Sequence, residues 1–253
     1  MFRTIRQTGS PAGHKSRKLP ITIILATLLF FAAVGVSSDS FGRFERTYTT
    51  QGPAHLIISN VNGTVRIVTW DKKTIFARVS AGQSVAIEDQ VMGNDIEIAA
   101  RRNLRLGRAD FEISAPPETA VTVKNYVGEI ELKGINGHIS INSIDSNVHL
   151  SNISSPAVDV RVTTGDVYFD GELHEGGAYS FQSMKGDLDI TLPSGTPFNL
   201  NARALSENIN LGSFMNSLTG SSRGPKGVAG THLKGSARLT LTSYAGRILL
   251  HKK

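Results

Sequence analysis

The sequence predicts an all-β protein, a β-solenoid of stacked two-strand coils of about 18–21 residues, preceded by an N-terminal helical export segment. Three observations carry this reading. One short phrase returns along the chain: GEIEL at 128–132, GDVYF at 165–169, GDLDI at 186–190 and GRILL at 246–250. Each is a turn residue followed by alternating polar and apolar positions, the period of a half-buried strand. Corresponding phrases recur at regular intervals, from Gly165 to Gly186 to Glu207, and at nine residues from Gly128 to Gly137 to Ser146. Finally, no window after residue 40 sustains a 3.6-residue apolar period beyond two turns.

Residues 1–38 read as a signal peptide or N-terminal membrane anchor. Arg3, Arg6, Lys15, Arg17 and Lys18 precede a sixteen-residue apolar run, Ile21 to Val36, that ends in small residues. A helix of that length spans about 24 Å, short of the roughly 30 Å hydrocarbon layer. Its ending suits a signal peptidase, and retention would tether the chain to a membrane through residues 19–38. Both outcomes place the remainder outside the cytoplasm, in the periplasm or at the cell surface. The formal charge of +6 belongs largely to this segment, since only 22 of the 27 basic residues remain after it, against 21 acidic ones. A nucleic-acid partner is therefore not expected. The absence of cysteine excludes disulfides, thiolate metal sites and cysteine nucleophiles.

Residues 41–115 form an N-terminal β region continuous with the solenoid. Strands are expected at Phe44 to Tyr48, His55 to Ile58 and Ile75 to Val79, with a hairpin signal at Asn62 and Gly63. The phrase itself occurs here as GTVRI at 63–67, while 83–90 reads as either a short helix or a loop. Arg101, Arg102, Arg105 and Arg108 make the one local basic cluster. It is a candidate patch for acidic polysaccharide, lipid headgroups or an acidic partner, or else a solvated hairpin tip.

Residues 116–253 carry the β-strand-repeat solenoid. Apolar residues at the third, fifth and eighth positions of each nine-residue unit, such as Ile139, Ile141 and Ile144, are expected to point inward. Stacking such coils buries them in shared columns. Glycine recurs at the corner because the backbone there needs positive φ, and Asn125, Thr163, Thr164, Ser183, Ser206 and Ser243 stand ready to hydrogen-bond the turn. The Gly-rich stretch 212–235 interrupts the pattern as a degenerate coil or a flexible excursion, and the strands at 237–241 and 248–250 are expected to cap the stack.

The phrases VRVTTGDVYF (160–169), LTLTSYAGRILL (239–250), LPSGTPF (192–198) and LIISNVNGTVRI (56–67) together resemble the putative-adhesin, β-strand-repeat family of exported bacterial proteins. The resemblance covers residues 44–250. It implies a β-solenoid-like fold at the cell envelope and brings no catalytic residues. Ser146 and Glu207 depart from it, standing where glycine is common.

No motif supplies chemistry. A P-loop is absent, because Pro225 occupies the place of the glycine before Lys226. There is no nucleophile elbow and no zinc-binding HExxH helix. The seven histidines are dispersed, with His138 and His149 at outward positions. Stacking does align polar residues: Glu129, Asn147, Asp166, Asp187 and Asn208 fall on successive corners, with Glu131, His149, Tyr168 and Asp189 two residues on. At a rung spacing of about 4.8 Å, Asp166 and Asp187 could hold a calcium ion or act as a carboxylate pair. No other cofactor is expected.

The sequence thus points to an exported envelope module without catalysis, working as a structural, adhesive or sensory surface for an envelope protein or polysaccharide. Its oligomeric state is open, and its membrane contact is confined to the N-terminal segment. The alternative is an extracytoplasmic carbohydrate-active enzyme of β-helix type using the outward acid ladder. A fusion of residues 1–45 to a reporter active only outside the cytoplasm is expected to be active; a silent fusion would refute export.

Overall fold

The computed structural model describes residues 42–102 and 107–253. The export segment and Arg105 lie outside them, as does the side chain of Arg102. The chain enters through β1 (Arg43–Thr49), β2 (His55–Thr69), β3 (Thr74–Ala81), β4 (Val85–Met92), β5 (Asp95–Arg102) and β6 (Ala109–Ala115). Two long strands follow, β7 (Ala120–Lys133) and β8 (Ile139–Ile153). Shorter pairs succeed them: β9 (Ala157–Thr164) with β10 (Val167–Gly171), and β11 (Ala178–Lys185) with β12 (Leu188–Leu192). Then come β13 (Phe198–Ala204), β14 (Ile209–Asn210), a short 3-10 helix (Gly212–Ser217), β15 (Leu218–Gly224), β16 (Gly227–His232), β17 (Ala237–Ser243) and β18 (Ile248–Lys252).

These strands wind into a flattened β-solenoid. Each coil lays one strand on a first sheet and, after a corner, a second strand on a facing sheet. In β2, β7 and β8 a single long strand passes through the corner, so Asn62 and Gly63 bend a strand and do not turn a hairpin. Alternate residues of both sheets point into the space between them, where Ile130, Leu132, Ile139, Ile141, Val148 and Leu150 are at most 2 % exposed. Phe169 and Phe181 meet across the sheets with ring centroids 5.0 Å apart. Each such side chain contributes roughly 1.5–3 kcal/mol as an upper estimate. Ile144 is the exception. At the corner the alternation slips by one residue, so Ile144 lies 42 % exposed and not inward as its position in the unit predicts.

Coils do not stack in chain order. The β2 coil sits between β5–β6 and β7, pairing parallel to all three. The final coil, β17–β18, is inserted between β11–β12 and β13–β14. It therefore does not cap the stack, as its place in the sequence suggests. That task falls to the Gly-rich stretch, which is no loose excursion: β16 pairs antiparallel with β13 and β15 with β16. Phe198, Phe214 and His232 close this end as a ring cluster with centroids 5.0–5.3 Å apart.

The opposite end is closed by antiparallel strands, β4 on β5 and β3 with β1 on β6. The segment 83–90 is mostly strand here. Inside this cap Arg46 Nη1 reaches both oxygens of Asp89 at 2.7 Å, and the Tyr48 hydroxyl donates to Asp89 at 3.0 Å. Inward-facing charge of this kind stops further strands from adding. Burial, then the Asp89 charge, raises the Tyr48 phenol far above its ordinary value.

The corner sets how closely coils approach. Gly165 and Gly186 have φ of +128° and +157°, and a Cβ on either would collide with the carbonyl of the preceding coil, Ser146 or Gly165. Buried side chains extend the bonding through the bend. Ser183 Oγ donates to the Gly165 carbonyl and Ser243 Oγ to that of Gly186, both at 3.0 Å. Where Ser146 replaces glycine, its hydroxyl accepts from Asn125 Nδ2 and Ser143 Oγ; Glu207 adopts φ +64°. Thr163 and Thr164 are exposed and add nothing to this network. Gly165→Ala is expected to cost about 2–4 kcal/mol in a denaturant melt, whereas Ser140→Ala, on the outer face, should change it by less than about 0.5 kcal/mol.

Candidate functional site

The outer face of the first sheet carries a shallow groove of about 460 Å³. Its floor arises from the residues placed outward by β2, β7, β8, β9, β11 and β17. One file along the stack reads His55, Ala120, His138, Ala157, Ala178 and Arg238; the next reads Thr122, Ser140, Asp159, Ser180 and Thr240. Alanine, serine and threonine leave the surface low, while two imidazoles and two guanidiniums rise around it. Nothing in the packing requires small residues here, because they face solvent.

Two polar clusters lie within the groove. Asp159 Oδ2 pairs with Arg161 at 2.8 Å, and its Oδ1 has no hydrogen-bond partner. His55 Nε2 is 2.9 Å from Thr122 Oγ1, and its Nδ1 stands 3.5 Å from Asp95. Carboxylate, imidazole and hydroxyl in that order resemble a hydrolytic relay. Thr122, however, sits mid-strand between β2 and β8, where the backbone N–H groups belong to the ladder and none is left to hold an oxyanion. Hydroxyls in adjacent pairs on either side of Asp159, beside two guanidiniums, instead offer hydrogen-bond donors and acceptors along the sheet.

The acids aligned by sequence lie elsewhere, on the second sheet just past the corner. Asp166 Oδ1 accepts the Asp187 N–H at 2.7 Å, and Asp187 Oδ1 accepts the Arg247 N–H at 2.7 Å. Asn147 serves the Asp166 N–H and Asp110 the Thr64 N–H in the same way. The carboxylates thus continue the coil-to-coil bonding where the backbone ladder is broken by the bend. Arg247 also clamps Asp187 Oδ2 through Nε and Nη2, at 2.9 and 2.6 Å. Those guanidinium bonds, against a smaller effect of burial, hold the Asp187 carboxyl below its ordinary value. Asp189 faces His251 at 3.3 Å, and Glu129 lies close enough to Arg108 to act on its charge. Among the described residues no three His, Cys, Asp or Glu side chains converge on a point a metal ion could occupy.

The basic cluster is divided by the fold. Arg101 Nε bonds Glu88 at 3.2 Å across β4 and β5, and Arg108 Nε bonds Asp110 at 2.8 Å. Arg105 and the side chain of Arg102 lie outside the described residues. Sequence reasoning missed the groove because its floor is made of small residues at outward positions, each ordinary by itself; only the register between coils brings them together. The stack of His149 on Tyr168, with centroids 4.6 Å apart, is another such product of register.

A family model described as Toastrack DUF4097 matches residues 54–248. No curated protein matches the sequence. Among solved structures, the chain is similar to a "putative cell adhesion protein" from Clostridium sporogenes, at 13 % identity and a TM-score of 0.50, covering 83 % of this chain and 99 % of that one. It is also similar to a "putative adhesin" from Bacteroides fragilis, at 9 % identity and a TM-score of 0.34, covering 83 % and 97 %.

The clamp on Asp187 has a pH signature. A carboxyl held below its unfolded value stabilises the fold above that value, and the contribution is lost as the pH falls through the depressed one. Asp187→Asn should therefore melt a few degrees lower than wild type at neutral pH. The gap should close below about pH 4 in thermal melts taken across the acid range.

Proposed function

We propose, from the premise that this chain belongs to the Toastrack DUF4097 family, that it is an exported cell-envelope binding module without catalysis. Its ligand in this reading is an extended acidic polysaccharide laid along the first sheet. The groove is the observation that carries it: hydroxyls come in adjacent pairs, Thr122 with Ser140 and Ser180 with Thr240, on either side of the Asp159–Arg161 ion pair and beside His138 and Arg238. Such a surface offers many weak, repeated contacts to a repeating chain, and the rigid stack holds them in place without ordering cost on binding. The fold shared with a solved structure named for cell adhesion supports a surface-presenting role.

Glycoside hydrolysis on this frame would require two free carboxyl groups roughly 5–9.5 Å apart. Asp166 and Asp187 commit oxygens to backbone N–H groups, and Asp187 is further clamped by Arg247. The groove's own Asp159 is paired with Arg161. These engagements favour binding over cleavage.

The test is retention on an array of uronate-bearing and neutral polysaccharides. Wild type should be retained on uronate-bearing chains. Ala157→Trp, which fills the groove at an outward position, should lower retention at least about tenfold, equivalent to about 1.4 kcal/mol, with an unchanged melting temperature. Failure of wild type to be retained on any polysaccharide, or cleavage of the chains, would overturn the proposal.

A further inference from the structure

The slip in alternation at the corner leaves one residue of each coil projecting from the edge, and these residues are apolar where other outward positions are polar. Tyr126, Ile144, Met184, Tyr244 and Leu205 are 58, 42, 44, 40 and 47 % exposed. Register places them in a single file, with Thr163 the one interruption. The file crosses six coils and runs about 24 Å at a rung spacing of about 4.8 Å. None of these side chains belongs to the buried core. A contiguous exposed apolar strip rimmed by charge marks an interaction surface.

The rim tells which partner fits. On the first-sheet side of the file stand Lys124, Arg161 and Arg203, all exposed; past the corner the β7 and β9 coils present Glu129 and Asp166, and the β13 coil presents Glu207 at the corner itself, in register with Gly246. Asp145 and Lys185, next to the file, offset one another. Base and acid therefore flank the strip on opposite sides in the β7, β9 and β13 coils, while Asp187 and Arg247 on the β11 and β17 coils neutralise one another.

We propose that this edge pairs with a second copy of the chain about a two-fold axis parallel to the solenoid axis. That dyad sets each coil against the same coil of the other copy and exchanges the two flanks. Lys124 then faces the partner's Glu129, Arg161 the partner's Asp166, and Arg203 the partner's Glu207. Ile144 and Met184 meet their own counterparts, as an isologous contact requires. A dyad perpendicular to the solenoid axis would bury the same strip but bring Lys124 against the partner's Arg203, a like-charge contact that disfavours it. Asp166 Oδ1 accepts the Asp187 N–H, and its Oδ2, which takes a 3.4 Å bond from the Tyr168 hydroxyl, has room for a guanidinium that Asp159 of the same chain also engages.

The chain has no cysteine, so single cysteines report the contact cleanly in the full chain. Ile144→Cys and Met184→Cys should each cross-link to its own kind on oxidation, whereas Ser180→Cys in the groove should not. Lys124→Glu should weaken dimerisation measured by sedimentation about tenfold, and Glu129→Lys in the same chain should restore it. Disulfides that form only in mixtures of Ile144→Cys with Tyr244→Cys would show antiparallel pairing and overturn the proposal. So would a monomer at every concentration with no cross-links. Flotation on phosphatidylglycerol vesicles that Ile144→Glu abolishes, without self cross-linking, would identify a lipid surface as the occupant instead and overturn it equally.

Discussion

The whole stack depends on a carbonyl oxygen occupying the space where a methyl group would otherwise be. At each corner that carries a glycine the oxygen of one coil lies against its bare Cα, as that of Ser146 does against Gly165 and that of Gly186 against Gly246. A side chain there would push adjacent coils apart, and the parallel ladders on both sheets would lose their spacing together. The buried serines and asparagines, and then the aspartates just past the bend, supply the hydrogen bonds that the kinked backbone cannot make for itself. Close approach, inner hydroxyl and outer carboxylate form one device repeated along the edge. This explains why a charged file can be regular without being a site.

Much of this was legible in the sequence, and the parts that were not have identifiable causes. Alternation of period two, spaced by glycine, predicts strands, coils and the inward columns of Ile130, Ile139 and Val148, because those properties are local to each coil. Coil order is not local. The apolar faces of β2, β7 and β17 are chemically interchangeable, so nothing in Leu239 or Leu241 says that they pack between β11 and β13. Ile144 misleads for a related reason: a continuous alternation assigns it to the core, and only the extra residue absorbed by the bend turns it outward. The Gly/Ser-rich stretch has the composition of a loop, yet Val228 and His232 anchor it as a strand against β13.

The candidate site was less visible than the fold. Ala157, Ser140 and Thr122 are unremarkable within their own strands, and become a groove only as neighbours across the ladder. The acids drew the eye because charge is conspicuous in a sequence, while their geometry ties them to the backbone. Both surfaces with recognition chemistry, the hydroxyl-lined groove and the apolar edge, follow from residues that the stack leaves unused. In a solenoid the inward half of each strand is spent on stability. Specificity can therefore drift along the outward half with little effect on the frame.

Insertion of the final coil has a consequence for how the molecule is made. Strands β11 and β13 are never neighbours; a gap one coil wide separates them until β17 arrives. During synthesis that gap stays open, with the apolar faces beside it exposed, until β17 and β18 have left the ribosome. The β17–β18 coil thus acts as a keystone: a chain that lacks it has nothing to bridge β11 and β13, and it stays recognisable to proteases as unfinished.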